Sequence, residues 1–130
     1  MKSSLPTILL LLPFFASAQN QNPCQTQRNT IEINDCAKLT LAEKDKALNA
    51  AYQKLLGSLV AEDKTDKANY ADVRKQLVEA QRAWISYRDN DCKAKYTLYE
   101  MGTIRGAVYW GCMIERTEQR TSELQRWTGN

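Results

Sequence analysis

Residues 70–87, YADVRKQLVEAQRAWISY, decide the fold. Their apolar side chains recur in steps of three and four residues, which brings them to one face of an α-helix. These positions are Tyr70, Val73, Leu77, Ala80, Trp84 and Tyr87. Such a seam is typical of a helix that packs along its neighbours nearly parallel to their axes. The stretch therefore predicts an all-α fold, a small antiparallel helical bundle.

A first helix is predicted upstream of this segment. Thr40-Leu41-Ala42-Glu43 has the form of a capping box, so we expect that helix to begin there and to run to about Val60. Its apolar stripe consists of Leu41, Leu48, Tyr52, Leu55 and Leu59. The polar residues 61–66 then predict a turn, with Thr65 or Asp66 as the cap of the second helix.

A third helix is predicted downstream. Gly102-Thr103 marks the turn that leads into it, and beyond Gly106 the three-and-four spacing resumes and continues to Trp127. The spaced positions are Trp110, Ile114, Thr117, Thr121 and Leu124. No segment alternates with a period of two, so no strand is expected. The sequence thus predicts three main helices and a short turn between Cys24 and Cys36.

The first 18 residues are typical of a signal peptide. Met1-Lys2 precedes an apolar run from Leu5 to Phe15, and Ala16-Ser17-Ala18 has the small-x-small form of a cleavage site. We therefore expect one mature domain, residues 19–130, in the periplasm or outside the cell. The apolar run is shorter than the roughly 20 residues of a membrane span, and Cys24 does not directly follow the cleavage site. We expect neither a membrane span nor a lipid anchor.

The four cysteines predict two disulfides. Cys24, Cys36, Cys92 and Cys112 form an even set in an exported chain, where thiols are oxidised. The chain has no histidine and no C-x-x-C pair, so the ligand spacing of a zinc site is missing and we expect neither metal nor cofactor. Three pairings are possible. A hairpin turn near Gly102 would bring Cys92 level with Cys112, which favours that pair and leaves Cys24 for Cys36.

The charge balance argues against a nucleic-acid partner. The chain has 18 basic and 15 acidic residues, and loss of Lys2 with the leader leaves a net charge of about +2. The two signs are interleaved along the chain, whereas a nucleic-acid-binding protein concentrates its basic residues on one face.

No catalytic group is predicted. Histidine, the commonest base near neutral pH, is absent. Asp89 lies two residues from Asp91, as Glu43 does from Asp45, and helical residues at that spacing point in different directions. We therefore expect no enzymatic activity.

A first polar set lies on the second helix. Arg88 follows Trp84 by four residues and precedes Cys92 by four, so the three side chains share one face. In a structural interpretation, Arg88 binds a carboxylate such as Asp45. In the alternative, Trp84, Tyr87 and Arg88 form an exposed anchor for a partner, because these residue types are enriched in interface hot spots.

A second polar set lies on the first helix. Asp45, Asn49 and Tyr52 follow one another at helical spacing, and asparagine is a poor helix-interior residue unless its amide has a partner. The set predicts a buried hydrogen-bond network that joins the first and second helices. The alternative is a ligand site between these helices, which requires a cavity.

These residues, in their order and spacing, carry a family resemblance. Its motif positions, which we expect to build the fold, are Glu32, Asn34, Asp45, Asn49, Tyr52, Gln81, Trp84, Arg88, Asp89, Gly102, Thr117 and Arg120. From Cys24 to about Leu124 the chain resembles the family of small secreted bacterial proteins named for the N-terminal domain of the lysozyme inhibitor LprI. The resemblance implies an all-helical fold, export and structural disulfides.

The resemblance also implies a first functional hypothesis, inhibition of a lysozyme. Common lysozymes are strongly basic, so an inhibitor that is steered onto them would be acidic, whereas this chain is slightly basic. Local acidic groups are Glu62, Asp63 and Asp66, or Glu32 with Asp35. The second hypothesis is a structural or interaction protein with another envelope partner. An acidic or aromatic protrusion would favour the first hypothesis, and a flat apolar patch the second. A cell-wall enzyme would require two converging carboxylates.

Overall fold

The computed structural model describes residues 22–60 and 69–127, which form an all-α bundle stapled by two disulfides. A short 3₁₀ helix, Pro23–Gln25, precedes three long helices, α1 (Thr30–Ser58), α2 (Tyr70–Leu98) and α3 (Arg105–Arg126). No strand occurs within these two described ranges. The predicted fold class, a small bundle of three main helices with two disulfides, is confirmed.

The third helix packs against both of the others, whereas the backbones of α1 and α2 stay further apart. Arg88 of α2 pairs with Asp45 of α1, and Arg74 donates a hydrogen bond to the carbonyl of Leu56, so α1 and α2 are antiparallel. Lys44 of α1 pairs with Glu118 of α3. A groove remains open between α1 and α2 and is lined by residues of these two helices.

The first helix begins ten residues earlier than predicted. The side chain of Asn29 accepts a hydrogen bond from the backbone N–H of Glu32, and the Glu32 carboxylate accepts one from the N–H of Arg28. Thr40, the predicted cap, lies inside the helix, where its hydroxyl donates to the carbonyl of Cys36. The prediction was wrong because a threonine followed three residues later by a glutamate is also stable inside a helix. There the threonine hydroxyl donates a hydrogen bond to a carbonyl of the preceding turn.

The second helix has Asn69 as its cap, with its side chain accepting from the N–H of Asp72. Thr65 and Asp66, the predicted caps, lie outside the described residues. The predicted seam is wrong at Ala80 and Tyr87, which are exposed. The buried positions of this helix are Leu77, Gln81, Arg88 and Cys92. Its inner face therefore includes two polar side chains, which a pattern of apolar residues does not detect.

Two apolar clusters form the core. One occupies the end of the bundle where α1 finishes, and its buried members are Leu48, Ala51, Leu55, Leu59, Leu77 and Leu124. The other surrounds the second disulfide, with Leu41, Cys92, Cys112 and Met113 buried. A layer of buried polar side chains lies between the two clusters.

Both predicted disulfides are present. Cys24 is bonded to Cys36, with 4.6 Å between their Cα atoms, and Cys92 to Cys112, with 5.6 Å. The turn formed by residues 99–104 joins α2 to α3 as an antiparallel hairpin, which brings Cys92 level with Cys112. Each crosslink constrains the unfolded chain and stabilises the fold by roughly 2 to 4 kcal/mol in the entropic interpretation.

Besides the caps Thr65 and Asp66, two sequence predictions concern residues outside the described ranges. They are the signal peptide, residues 1–18, and the acidic group Glu62, Asp63 and Asp66. Among the helices that are described, none combines the length and the apolar character needed to cross a membrane.

Candidate functional site

Arg88 lies at the centre of the bundle and contacts all three helices. Its Nη1 donates hydrogen bonds to Asp45 Oδ1 of α1 at 2.9 Å and to Thr117 Oγ1 of α3 at 3.1 Å. Its Nε donates to Asp89 Oδ1 at 3.0 Å, and its guanidinium carbon lies 5.2 Å from the centre of the Trp84 ring. Only 9% of Arg88 is exposed, so these contacts replace the water that the charge loses on folding.

A second set of polar contacts, between α2 and α3, lies next to those of Arg88. Arg120 Nε donates to Oε1 of the buried Gln81 at 3.0 Å, and Arg120 Nη1 donates to Glu123 at 2.9 Å. Thr117 is fully buried, and its hydroxyl donates to the carbonyl of Met113 while it accepts from Arg88. The central polar layer, as we name it, comprises Asp45, Gln81, Trp84, Arg88, Asp89, Thr117 and Arg120. Because its groups are paired across helices, the layer fixes the register of the bundle.

The groove between α1 and α2 opens beside this layer. It has a volume of about 410 Å³. Its lining includes Asp45, Leu48, Asn49, Tyr52, Val78, Gln81, Arg82, Ile85 and Arg88. Asn49 is exposed, and neither its amide nor the Tyr52 hydroxyl has a hydrogen-bond partner in the described parts of the chain. The predicted buried network therefore includes Asp45 but not Asn49 or Tyr52, and the cavity that the alternative interpretation requires is present.

The predicted exposed anchor is not assembled as one surface. Arg88 is buried, Trp84 is half-buried against the first apolar cluster, and Tyr87 alone of the three is largely exposed. Tyr87 instead has the guanidinium carbon of Arg116 5.8 Å from its ring centre. Arg88 and Trp84 therefore belong to the packed interior, and Tyr87 belongs to the surface.

The carboxylates that sequence analysis considered for catalysis face different cations. Asp89 contacts Arg88, and Asp91 accepts from Arg116 Nε at 3.1 Å. Asp45 contacts Arg88, and Glu43 is paired with Lys46. The Asp91 carboxylate raises the pKa of Arg116, chiefly by accepting this hydrogen bond. Neither pair converges on a pocket as an acid and a base would.

Among the described residues, Asp91, Cys92 and Cys112 form the group that most resembles a set of metal ligands. The Asp91 carboxylate lies 3.9 Å from Cys112 Sγ, and Cys92 Sγ is adjacent. Because both sulfurs belong to the disulfide, neither is available as a thiolate ligand. A single carboxylate oxygen remains, which does not make a metal site.

Three other motif residues lie at the closed end of the bundle, where α1 begins and the α2–α3 turn lies. The N–H of Gly102 donates to the carbonyl of Tyr99 at 2.9 Å and closes the turn. The Glu32 carboxylate accepts from the N–H of Arg28 and from the Thr26 hydroxyl, each at 2.8 Å, which holds the pKa of Glu32 below its ordinary value. Glu32 is thus committed to the helix start.

Asn34, the third of these residues, packs directly over Gly106. A Cβ atom on Gly106 would lie 2.6 Å from Asn34 Nδ2, so a larger residue at this position would require the Asn34 amide to move. Asn34 Oδ1 is buried and has no hydrogen-bond partner among the described residues. A cavity of about 620 Å³ opens here, with Lys38, Met101 and Arg105 among its lining residues.

The same end carries large apolar side chains on its surface, which the sequence analysis missed. We name the tip as the segment Leu98–Arg105. Met101 is 97% exposed and Leu98 77%, and Tyr99 and Ile104 are also exposed. The available signal was the set of four large apolar residues around the predicted Gly102 turn, because such residues gain nothing for the fold when they face water.

Comparison with known proteins gives one result at the level of the family and one at the level of a relative. Residues 21–124 match the family described as "Lysozyme inhibitor LprI". An uncharacterized protein of Rhizobium meliloti (strain 1021) is 33% identical, over 96% of this chain and 94% of that protein. No solved structure matches. Because the family match covers most of the chain, this protein belongs to the LprI lysozyme inhibitor family.

Proposed function

We propose that the protein is exported, loses residues 1–18, and binds and inhibits a lysozyme-type muramidase in the cell envelope. The match of residues 21–124 to the lysozyme inhibitor family carries this proposal. The two disulfides fit an oxidising compartment outside the cytoplasm. The motif residues of the central polar layer are paired with one another, which supports a structural role for them.

The surface favours a binding role of this kind. The tip is an exposed and mainly apolar surface that includes Tyr99, so it offers side chains for contact with a partner. The two residues of the second predicted acidic group are both engaged, since Glu32 caps α1 and Asp35 is paired with Lys38. Electrostatic steering by an acidic patch at these residues is therefore not part of the proposal.

A second candidate is a structural or interaction protein with another envelope partner. The slightly basic charge favours it, because overall charge does not steer this chain toward a basic lysozyme. A direct measurement of lysozyme inhibition distinguishes the two candidates.

That measurement is a titration of purified chicken-type and goose-type lysozymes with the oxidised chain from Gln19 onward. Turbidity of a cell-wall suspension reports lysis. We expect a dose-dependent loss of lysis that saturates near equal molar amounts, and no loss with protein whose disulfides have been reduced and alkylated. Full lysis in the presence of a large excess of oxidised protein would exclude these lysozymes and promote the second candidate.

A further inference from the structure

We propose that the tip, Leu98–Arg105, is the part of this protein that enters the substrate cleft of the muramidase. The inference rests on the proposed function and adds the contact surface and its chemistry. It is carried by three observations, namely the exposure of the tip, the positive charge of its α3 side and its rigid support.

The exposure of the tip has no explanation within the fold. Leu98, Met101 and Ile104 all face water at one end of the bundle, joined by Tyr99. A small exported protein gains solubility by covering such side chains, so a cluster of them marks a surface that a partner covers. Met101 is 97% exposed and therefore accessible to a partner from nearly all sides, and the surface of a muramidase that would enclose such a side chain is its concave substrate cleft.

The α3 side of the tip, at Arg105, is positive and complements that cleft. Glu100 is the one acidic residue of the tip, so the formal charge of the whole segment is zero. Glycosidases of this kind hold two carboxyl groups beside the scissile bond, so the cleft floor is acidic even where the enzyme as a whole is basic. Arg105 has no carboxylate partner in the described chain; its Nη1 donates to the carbonyl of Glu100 at 2.6 Å, and its guanidinium lies beside the Tyr96 ring. The first turn of α3 holds no acidic side chain, and its amides add further positive character.

The tip is also held rigidly. The buried Cys92–Cys112 disulfide staples the base of the hairpin, and Cys92 lies six residues before Leu98, which is about 9 Å along a helix. Between this disulfide and the turn, Tyr96 packs edge-on against Tyr109 with 6.2 Å between ring centres. A segment that is ordered before binding loses less conformational entropy on docking, which favours tight inhibition.

Two tip variants and two matched controls test the inference in the turbidity assay. Met101→Asp and Arg105→Glu each place a carboxylate where the partner's carboxylates would lie, and we expect each to raise the half-inhibitory concentration about tenfold or more. Val60→Asp is the control for Met101, because Val60 is exposed at the opposite end of α1. Lys75→Glu is the control for Arg105, because Lys75 is exposed near the start of α2. Both controls should stay within about twofold.

Competition identifies the cleft itself. In calorimetric titrations of the lysozyme with the wild-type chain, a short chitin oligosaccharide that fills the cleft should abolish binding. Binding that persists at saturating oligosaccharide would show that the protein docks elsewhere and would overturn the inference. Circular dichroism of all four variants should match the wild type, since each replaced side chain is exposed.

The outcomes separate the two proposals. Inhibition by the wild type and equally by both tip variants overturns the tip and leaves the proposed function standing. Absence of inhibition by the wild type overturns both. Two further probes then identify what covers the tip. Sedimentation of phosphatidylethanolamine–phosphatidylglycerol vesicles reports a lipid surface, and sedimentation equilibrium of the protein alone reports a second copy.

Discussion

The centre of the bundle and its closed end distribute their side chains in opposite ways. In the central polar layer an arginine is buried and fully engaged, with carboxylates on two sides and a threonine on a third. At the tip, methionine, leucine and isoleucine are exposed and contribute little to the core. A buried charge is tolerated only when it is paired, and an exposed apolar group gains no stability from facing water.

The difference teaches that the residues most visible in a motif need not be those that bind. The central polar layer joins helices that are far apart in sequence, so its residues are constrained by the fold. The tip is free of such constraints, and its apolar side chains remain available to a partner. Substitutions in the two regions should therefore separate stability from inhibition.

The largest effect is expected at Arg88. Arg88→Ala leaves Asp45 and Asp89 without their cation, and we expect the free energy of unfolding to fall by about 2 to 4 kcal/mol. For a domain of this size the melting temperature should fall by roughly 10 °C or more. Thermal unfolding followed by circular dichroism measures the change.

The tip supplies the contrast for this experiment. Met101→Ala should change the free energy of unfolding by less than about 0.5 kcal/mol, because the side chain is exposed. The folded fraction of Arg88→Ala should inhibit as the wild type does, whereas Met101→Ala should inhibit less. An unchanged melting temperature for Arg88→Ala would mean that the central polar layer does not hold the bundle together.

The sequence predicted the hairpin and its disulfide because both follow from local rules. A turn at Gly102 between two periodic helices brings Cys92 and Cys112 level. This inference needs no knowledge of where α1 lies. The start of α1 was misplaced because two capping patterns, at Asn29 and at Thr40, compete eleven residues apart. Only the disulfide and packing of the N-terminal segment distinguish them.

The site was less predictable than the fold. Gln81 and Arg88 are buried because partners arrive from α1 and α3, and such partners are invisible in the sequence of α2 alone. The groove between α1 and α2 depends on the separation of two backbones, which periodicity does not encode. The exposure of the tip likewise depends on where the neighbouring helices end.

An effect of intermediate size on stability is expected at Gly106, where α3 packs against Asn34 of α1. Gly106→Ala would place a methyl group against Asn34, and we expect a loss of about 1 to 2 kcal/mol. In an Asn34→Ala background the same change should be neutral or stabilising by up to about 1 kcal/mol, because alanine favours helix over glycine. Urea unfolding of the four proteins gives the coupling energy.

Gly111→Ala is the matched control, since no described atom outside its neighbouring residues and the adjoining backbone of α3 lies within 4 Å of its added methyl group. That variant should stabilise α3 by about 0.5 to 1 kcal/mol. If Gly106→Ala were as stabilising as Gly111→Ala in the wild-type background, the close approach of α1 to α3 beneath the tip would be incorrect, and the closed end would be less rigid than the centre.

The smallest effect is a pH dependence at the start of α1. The Arg28 N–H, and then the Thr26 hydroxyl, hold the pKa of Glu32 in the folded protein below its ordinary value of 4.5. A carboxyl group whose pKa is depressed by folding stabilises the folded state above its unfolded pKa. That contribution is lost as the pH falls from about 4.5 through the lower folded pKa.

Urea unfolding of Glu32→Gln and of the wild type, from neutral pH to about pH 3, measures this contribution. We expect the wild type to be more stable at neutral pH and the difference to shrink as the carboxyl group is protonated. Glu79→Gln, at an exposed position of α2, is the matched control for the change of side chain. A difference for Glu32→Gln that persists through the acid range would mean that its charge does not cap α1. The closed end would then depend on packing alone, in contrast to the ion-paired centre.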